Sequence, residues 1–170
     1  MVRILFVCHG NICRSPMAEF IFRHLAAQAG CLDQFEISSA ATSAEEIGSP
    51  VYPPARRILE KHGVTCTGKI ARQMTAADYH THDLLIGMDQ ANLRNMRRIC
   101  GGDPDGKIRG LLSWAGRADD VADPWYTRDF QAAWDDIFEG CTALLQALTA
   151  DRSEERRVGK ECRSRWSPYH

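Results

Sequence analysis

Cys8-His9-Gly10-Asn11-Ile12-Cys13-Arg14-Ser15 sets a thiol and a guanidinium with five residues between them across a short polar loop. A thiolate is a strong nucleophile, and cationic groups with helix-terminal N–H donors lower a cysteine pKa from about 8.5 to as low as roughly 3.5–7.5. Arg14 presents a planar fork that grips two oxygens of a tetrahedral oxyanion. The same fork holds equatorial oxygens through an in-line displacement, where catalysis is mostly positioning and charge stabilisation. Gly10 permits close backbone approach or a positive φ. Asn11 tolerates the left-handed region and braces the loop with its amide. Ser15 can donate its hydroxyl to Cys8, and Pro16 suits the first turn of a helix. A Cys-x5-Arg spacing alone is weak, and a lone Cys8 reads as a buried strand-end residue. The signal becomes specific through the Gly, Asn and Ser-Pro around it.

A second chemical stretch is Val121-Ala-Asp-Pro-Trp-Tyr126. A positioned carboxylic acid that protonates a departing oxygen contributes about 10²–10⁴-fold. Asp123 is the candidate, biased toward extended geometry by Pro124, and the same carboxylate can then activate water. The alternative is an Asp-Pro that merely opens a turn. Trp125 and Tyr126 either line a slot for a flat ring or pack in the core.

These residues need a scaffold that brings strand ends together. Val2, Ile4, Leu5, Phe6 and Val7 read as a strand into Cys8, and Met17, Phe20, Ile21 and Leu25 as a helix out of it. That order aims loop N–H groups and a helix dipole at one small volume suited to an anion. Glu36–Ala40 reads as a second strand, Pro54–His62 as a helix ended by Gly63, and Asp83–Met88 as a strand covered on both faces. Asp89 caps a helix from Gln90 to about Arg98 that stops at Cys100-Gly-Gly102. Ile108–Leu112 reads as a fourth strand. Phe130, Trp134, Ile137, Cys141, Leu144, Leu145 and Leu148 recur at three- and four-residue steps, a long amphipathic helix. Alternating β and α predicts a parallel sheet with its ligand site at the carboxyl ends of the strands.

Val7-Cys8-His-Gly-Asn-Ile-Cys-Arg-Ser-Pro-Met-Ala-Glu19 resembles the phosphate-binding loop of the low-molecular-weight protein-tyrosine phosphatases. The likeness continues through Ser39-Ala-Ala-Thr-Ser43, Gly48, Ala71-Arg-Gln73, Met88-Asp89 with Asn92-Leu93, and Asp123-Pro124-Trp125-Tyr126, covering nearly all of residues 1–150. It implies a single three-layer α/β/α domain with a four-stranded parallel, flavodoxin-like sheet. The implied activity is hydrolysis of phosphotyrosine in proteins, and of small aryl phosphates, through a phosphocysteine. Cys8 would be the nucleophile, Arg14 the phosphate clamp and Asp123 the general acid and base. His9, Gly10, Asn11, Ile12, Cys13 and Ser15 would surround the phosphate, and Trp125 and Tyr126 the substrate ring. No metal or organic cofactor is implied.

Within the resemblance, Cys13 is a neighbour that protects the nucleophile by reversible pairing, or simply a small residue at a helix start. Arg72 and Asp89 match positions that support the loop, with surface ion pairing as the alternative. Trp125 stands where the family often has Tyr, His9 is a variable pocket wall, and Lys69 replaces a frequent His whose contact to the loop is not expected here. An arsenate reductase on the same fold would need two further cysteines close together, where this chain has isolated Cys66 and Cys100. A phosphoarginine phosphatase usually has a small residue beside the pocket, and Ile12 fits tyrosine better. A binding module without turnover would show replacement of Cys8, Arg14 or Asp123.

The chain has 170 residues, 44% hydrophobic, with a formal net charge of −1. This suits one α/β domain and shows no nucleic-acid footprint. No run approaches membrane-spanning length, and the apolar start is too short for a signal peptide. Seven scattered cysteines suit a reducing cytoplasm better than a disulfide framework. His80, His82 and Asp83 read as a solvated turn rather than a metal site. Residues 152–170 follow no helical or strand period. They can be back-translated to begin agatcggaagagc, which resembles the start of a common sequencing adapter. Residues 151–170 are therefore expected to be a disordered, non-native tail, the alternative being a genuine basic one. Residues 152–170 carry six Lys/Arg and three Asp/Glu, so residues 1–151 have fifteen against nineteen and are mildly acidic.

Overall fold

The computed structural model describes residues 1–158, with side chains through 150. Strand β1 (Val2–Cys8) lies between β2 (Phe35–Ala41) and β3 (Leu84–Gly87), and β4 (Ile108–Gly110) completes the sheet in the order β2-β1-β3-β4. All three pairings are parallel. Ile4, Leu5, Phe6 and Val7 are fully buried, as a central strand covered on both faces requires. The expected four-stranded parallel α/β architecture is present.

Helices α1 (Arg14–Gln28), α2 (Pro53–Lys61) and α6 (Phe130–Val158) pack with one another; α3 (Ala77–Thr81) and α4 (Gln90–Cys100) precede and follow β3. The apolar stripe of α6 is buried at Trp134, Ile137, Cys141, Leu144 and Leu148. Against α1 it forms a core with Met17, Ala18, Ile21 and Phe22. A smaller core on the other face joins Leu5, Val7 and Leu85 to Leu93 and Met96. Register sets Cys8 opposite Ala41 and Phe6 opposite Ser39, so the loop after β1 opens where β2 also ends.

Three segments depart from the sequence reading. The fourth strand stops at Gly110, and Leu111–Ala115 form a 3-10 turn whose Leu111 and Leu112 are buried under α6. Gly140 on α6 permits that approach, since a Cβ there would stand 2.5 Å from Leu111 Cγ. A continuous apolar run reads alike whether it is a covered strand or a strand followed by a turn. The turn expected around His80 is in part the helix α3, held by Asp78 accepting from the Thr75 N–H at 2.9 Å. Helix α6 continues beyond residue 150 to Val158, and the rest of the expected tail, 159–170, lies outside the described residues. Among the described residues no helix is long and apolar enough to cross a membrane.

Candidate active site

Cys8 closes β1 and Arg14 opens α1, and the intervening residues curl so that Asn11 N–H donates to Cys8 Sγ at 3.3 Å. The left-handed residue of this loop is Asn11, at φ 60°, and not Gly10. Asparagine adopts that region at small cost. Gly10 instead allows close packing, with Glu46 Cγ at 3.5 Å from where a Cβ would be. Asn11 is 1% exposed, and its side chain braces the loop from beneath. Its Nδ2 donates to Ser15 Oγ at 2.8 Å and to Ser39 Oγ at 3.0 Å. Its Oδ1 accepts from the Arg72 N–H at 3.1 Å. Ser15 Oγ lies 3.0 Å from Cys8 Sγ, the contact expected from sequence.

Arg14 is 2% exposed and is held on one side. Its Nη1 donates to Asp89 Oδ2 and to the Val121 carbonyl, both at 2.8 Å, and Nη2 reaches Asp123 Oδ2 at 3.3 Å. The Nε–H is buried and has no hydrogen-bond partner among the described residues. Burial opposes the charge of this guanidinium, but Cys8, Asp123 and Asp89 more than restore it, so its pKa is raised. A buried, charged arginine with an unused donor beside a thiol suits an oxyanion.

Asp123 caps the short helix α5 (Pro124–Thr127), its Oδ1 accepting from the Trp125 N–H at 3.0 Å. The segment before it is fastened to the sheet, Val121 N–H donating to the Met88 carbonyl at 2.9 Å. Asp89 does more than cap α4. The capping box with Asn92 fixes a carboxylate whose second oxygen takes Arg14. Sequence reading found the cap; the guanidinium partner comes from 75 residues away.

Cys8, His9, Gly10, Ile12, Cys13 and Arg14 line one cleft of about 110 Å³ with Asp123, Trp125 and Tyr126. Trp125 and Tyr126 are 44% and 79% exposed, so they form the mouth and not core. Tyr52, not anticipated from sequence, packs on Trp125 with ring centroids 4.8 Å apart, and its N–H donates to the Ile12 carbonyl at 2.9 Å. Glu45 and Glu46 complete the opposite wall, where His9 Nε2 meets Glu45 Oε2 at 3.2 Å. Burial pushes the Cys13 thiol up to about 12, with Cys8 and Asp123 adding to the effect. Cys13 is therefore held protonated. The cysteines lining the cleft are Cys8 and Cys13, whereas Cys66 and Cys100 are not among its lining residues.

The chain as a whole is similar to known proteins. A model of the family described as low molecular weight phosphotyrosine protein phosphatase matches residues 3–154. The chain belongs to this family. It is 38% identical over 154 residues to the low molecular weight protein-tyrosine-phosphatase YfkJ of Bacillus subtilis, spanning 89% of this chain and 99% of that protein. It is 37% identical over 150 residues to a low molecular weight phosphotyrosine protein phosphatase of Gallus gallus, spanning 84% and 93%. The crystal structure of the Bacillus protein superimposes with a TM-score of 0.86, covering 89% of this chain and 97% of that one.

Lys69 makes its polar contacts below the Cys8–Ser15 loop and not to the loop itself. Its Nζ donates to the Ser39 carbonyl at 2.9 Å and stands 3.7 Å from Glu19 Oε1. Length explains this, since a lysine stem spans the gap while its ammonium stays near a carboxylate. Arg72 is likewise more than a surface cation. It grips Asp78 through Nη1 at 3.1 Å and Nη2 at 2.9 Å, fixing the backbone that holds Asn11.

Burial alone would raise the Asp78 carboxyl, but Arg72, the Thr75 N–H and His82 together hold it below its ordinary value. A depressed native pKa contributes stability that is present above the unfolded value of about 3.9 and lost as pH falls through the native one. Asp78→Asn is accordingly expected to cost about 1–3 kcal/mol at neutral pH. The gap in thermal midpoint between variant and parent should close as pH drops below about 4. A gap constant from pH 7 to pH 3 would show that the charge of Asp78 is not what matters.

Proposed function

We propose that this chain hydrolyses phosphotyrosine in proteins, together with small aryl phosphates, in two steps at the Cys8 cleft. The Cys8 thiolate attacks phosphorus and forms an S–P bond as the P–O bond to the tyrosine breaks. Asp123 gives its proton to the departing phenolic oxygen, and Arg14 with the loop N–H groups holds the equatorial oxygens. Water then attacks the phosphocysteine, losing a proton to the Asp123 carboxylate, and the S–P bond breaks to release inorganic phosphate and the thiolate. Trp125 and Tyr126 flank the ring, Ile12 and His9 wall the pocket, and all these residues fall within 1–150, the span assigned to the phosphatase domain. A cytoplasmic setting is proposed with it, where the scattered thiols stay reduced.

One observation carries the reading. Cys8, Arg14 and Asp123 line a single cleft, and the Arg14 Nε–H is buried with no hydrogen-bond partner among the described residues. The test is the rate of the reduced protein on p-nitrophenyl phosphate and on peptides carrying phosphotyrosine or phosphoserine. Aryl esters should be turned over with a clearly higher kcat/KM than the phosphoserine peptide, which offers no ring for Trp125 and Tyr126 to flank. Phosphate binding without turnover of any ester would move the chain to the binding modules. Turnover of arsenate coupled to a thiol reductant, with none of aryl esters, would make it a reductase.

A further inference from the structure

The helix that Asp123 caps is a single turn, too short to fix its own place, and it ends at Arg128. Arg128 N–H donates to the Pro124 carbonyl at 2.9 Å, and its φ is 61°. Among the described non-glycine residues, only Asn11 shares that left-handed backbone. Glycine or asparagine adopts it readily, whereas a long side chain is disfavoured there. What offsets the strain is what the side chain holds. The guanidinium lies over the Tyr52 ring, 5.4 Å from its centroid, and over the Phe130 ring at 5.5 Å. Its Nη2 donates to Tyr52 Oη at 3.1 Å, and Nη1 reaches the Trp125 carbonyl at 3.4 Å.

Tyr52 anchors this clamp. It caps the start of α2, its N–H donates to the Ile12 carbonyl at 2.9 Å, and its ring packs on Trp125 at 4.8 Å. Arg128 thereby ties the turn of the acid to the loop of the thiol through one intermediate residue. It is not itself among the residues lining the cleft. We propose that Arg128 is a positioning residue: stacked on Tyr52 and Phe130, it fixes the turn after Asp123 against the Cys8 loop, so that the carboxyl meets the departing oxygen. The other holds on the Asp123 carboxylate are Arg14 Nη2 at 3.3 Å and the Trp125 N–H, and the second moves with the turn. A proton donor acts only within hydrogen-bond reach, so a small displacement forfeits much of its effect. The inference rests on Asp123 being the general acid, as proposed above.

Arg128→Gly tests this cleanly, because it removes the clamp and leaves a backbone better suited to its conformation. Its kcat/KM for phenyl phosphate should fall about tenfold, part of the roughly 10²–10⁴-fold that a positioned acid supplies. For p-nitrophenyl phosphate, whose oxygen needs less proton help, the fall should stay within about threefold. Arg128→Asn keeps the left-handed turn without the freedom of glycine and should give the same pair of values. Tyr52→Phe keeps the ring and loses the hydroxyl, so it should show a smaller loss in the same sense. Adding it to Arg128→Gly should cost little more, since both act through one contact. Amide exchange at Trp125, whose N–H is held by Asp123, should quicken in both Arg128 variants. Parent rates on both esters, or parent exchange at Trp125, overturn the proposal. So does a loss of equal size on both esters, which is what the charge of Arg128 acting directly on the phosphate dianion would give. If neither Arg128 variant folds, a Tyr52→Phe with parent kcat/KM on phenyl phosphate and parent exchange at Trp125 overturns it instead. A parent protein that hydrolyses no ester fails the proposed function, and exchange at Trp125 then decides alone whether Arg128 holds the turn.

Discussion

Cys8→Ser is expected to lower turnover of p-nitrophenyl phosphate by at least about 10⁴-fold, as loss of a covalent nucleophile does where the rest of a site is intact. Sulfur matters because a thiolate is a far stronger nucleophile than the serine hydroxyl that replaces it. The remaining machinery does not depend on the sulfur. Arg14 keeps Asp89, the Val121 carbonyl and Asp123, and the loop keeps the Asn11 bonds to Ser15, Ser39 and Arg72. Binding of inorganic phosphate, followed by calorimetry, should thus stay within about threefold of the parent, since binding and chemistry fall on different residues. Loss of rate with binding retained assigns covalent chemistry to Cys8. Full activity in the variant would mean that water attacks phosphorus directly, and lost binding would mean that the loop itself had collapsed.

What was legible from sequence, and what was not, follows how local each feature is. The Cys8–Ser15 loop is contiguous, flanked by a strand and a helix that declare themselves by apolar pattern. Its internal contacts, Asn11 N–H to Cys8 and Ser15 to Cys8, span three and seven residues. The capping role of Asp89 was legible for the same reason, since Asn92 lies three residues on. Its bond to Arg14 was not, because sequence spacing carries no information about two elements that meet only when β1 and β3 pair. Glu19, Ser39 and Lys69 belong to that second kind. Each looks like an ordinary polar residue of its own element, and only the parallel register between β1 and β2 sets Ser39 below the loop. Tyr52 was missed because aromatic residues before a Pro-initiated helix usually signal packing alone, while here the ring sits on Trp125 at the cleft mouth.

Asp123→Asn separates leaving-group chemistry from binding, and its expected effect depends on the ester. For phosphotyrosine and phenyl phosphate, whose oxygens depart poorly without a proton, kcat should drop by about 10²–10⁴-fold. For p-nitrophenyl phosphate the loss in the first step should be smaller, since nitrophenolate departs with less help. The fold should tolerate the change. An asparagine oxygen still accepts from the Trp125 N–H, preserving the cap of α5. Its amide would then face Arg14 Nη2, now 3.3 Å from Oδ2, where two donors oppose one another at a cost of about 1–3 kcal/mol. The decisive measurement is kcat against leaving-group pKa for a series of aryl phosphates, parent beside variant. A steep dependence appearing only in the variant identifies Asp123 as the proton donor, because the proton it supplied had hidden the difference among leaving groups. Parallel lines displaced by a constant factor would instead make Asp123 a holder of Arg14, with the acid to be sought elsewhere in the cleft, where Glu45 and Glu46 are the remaining carboxylates.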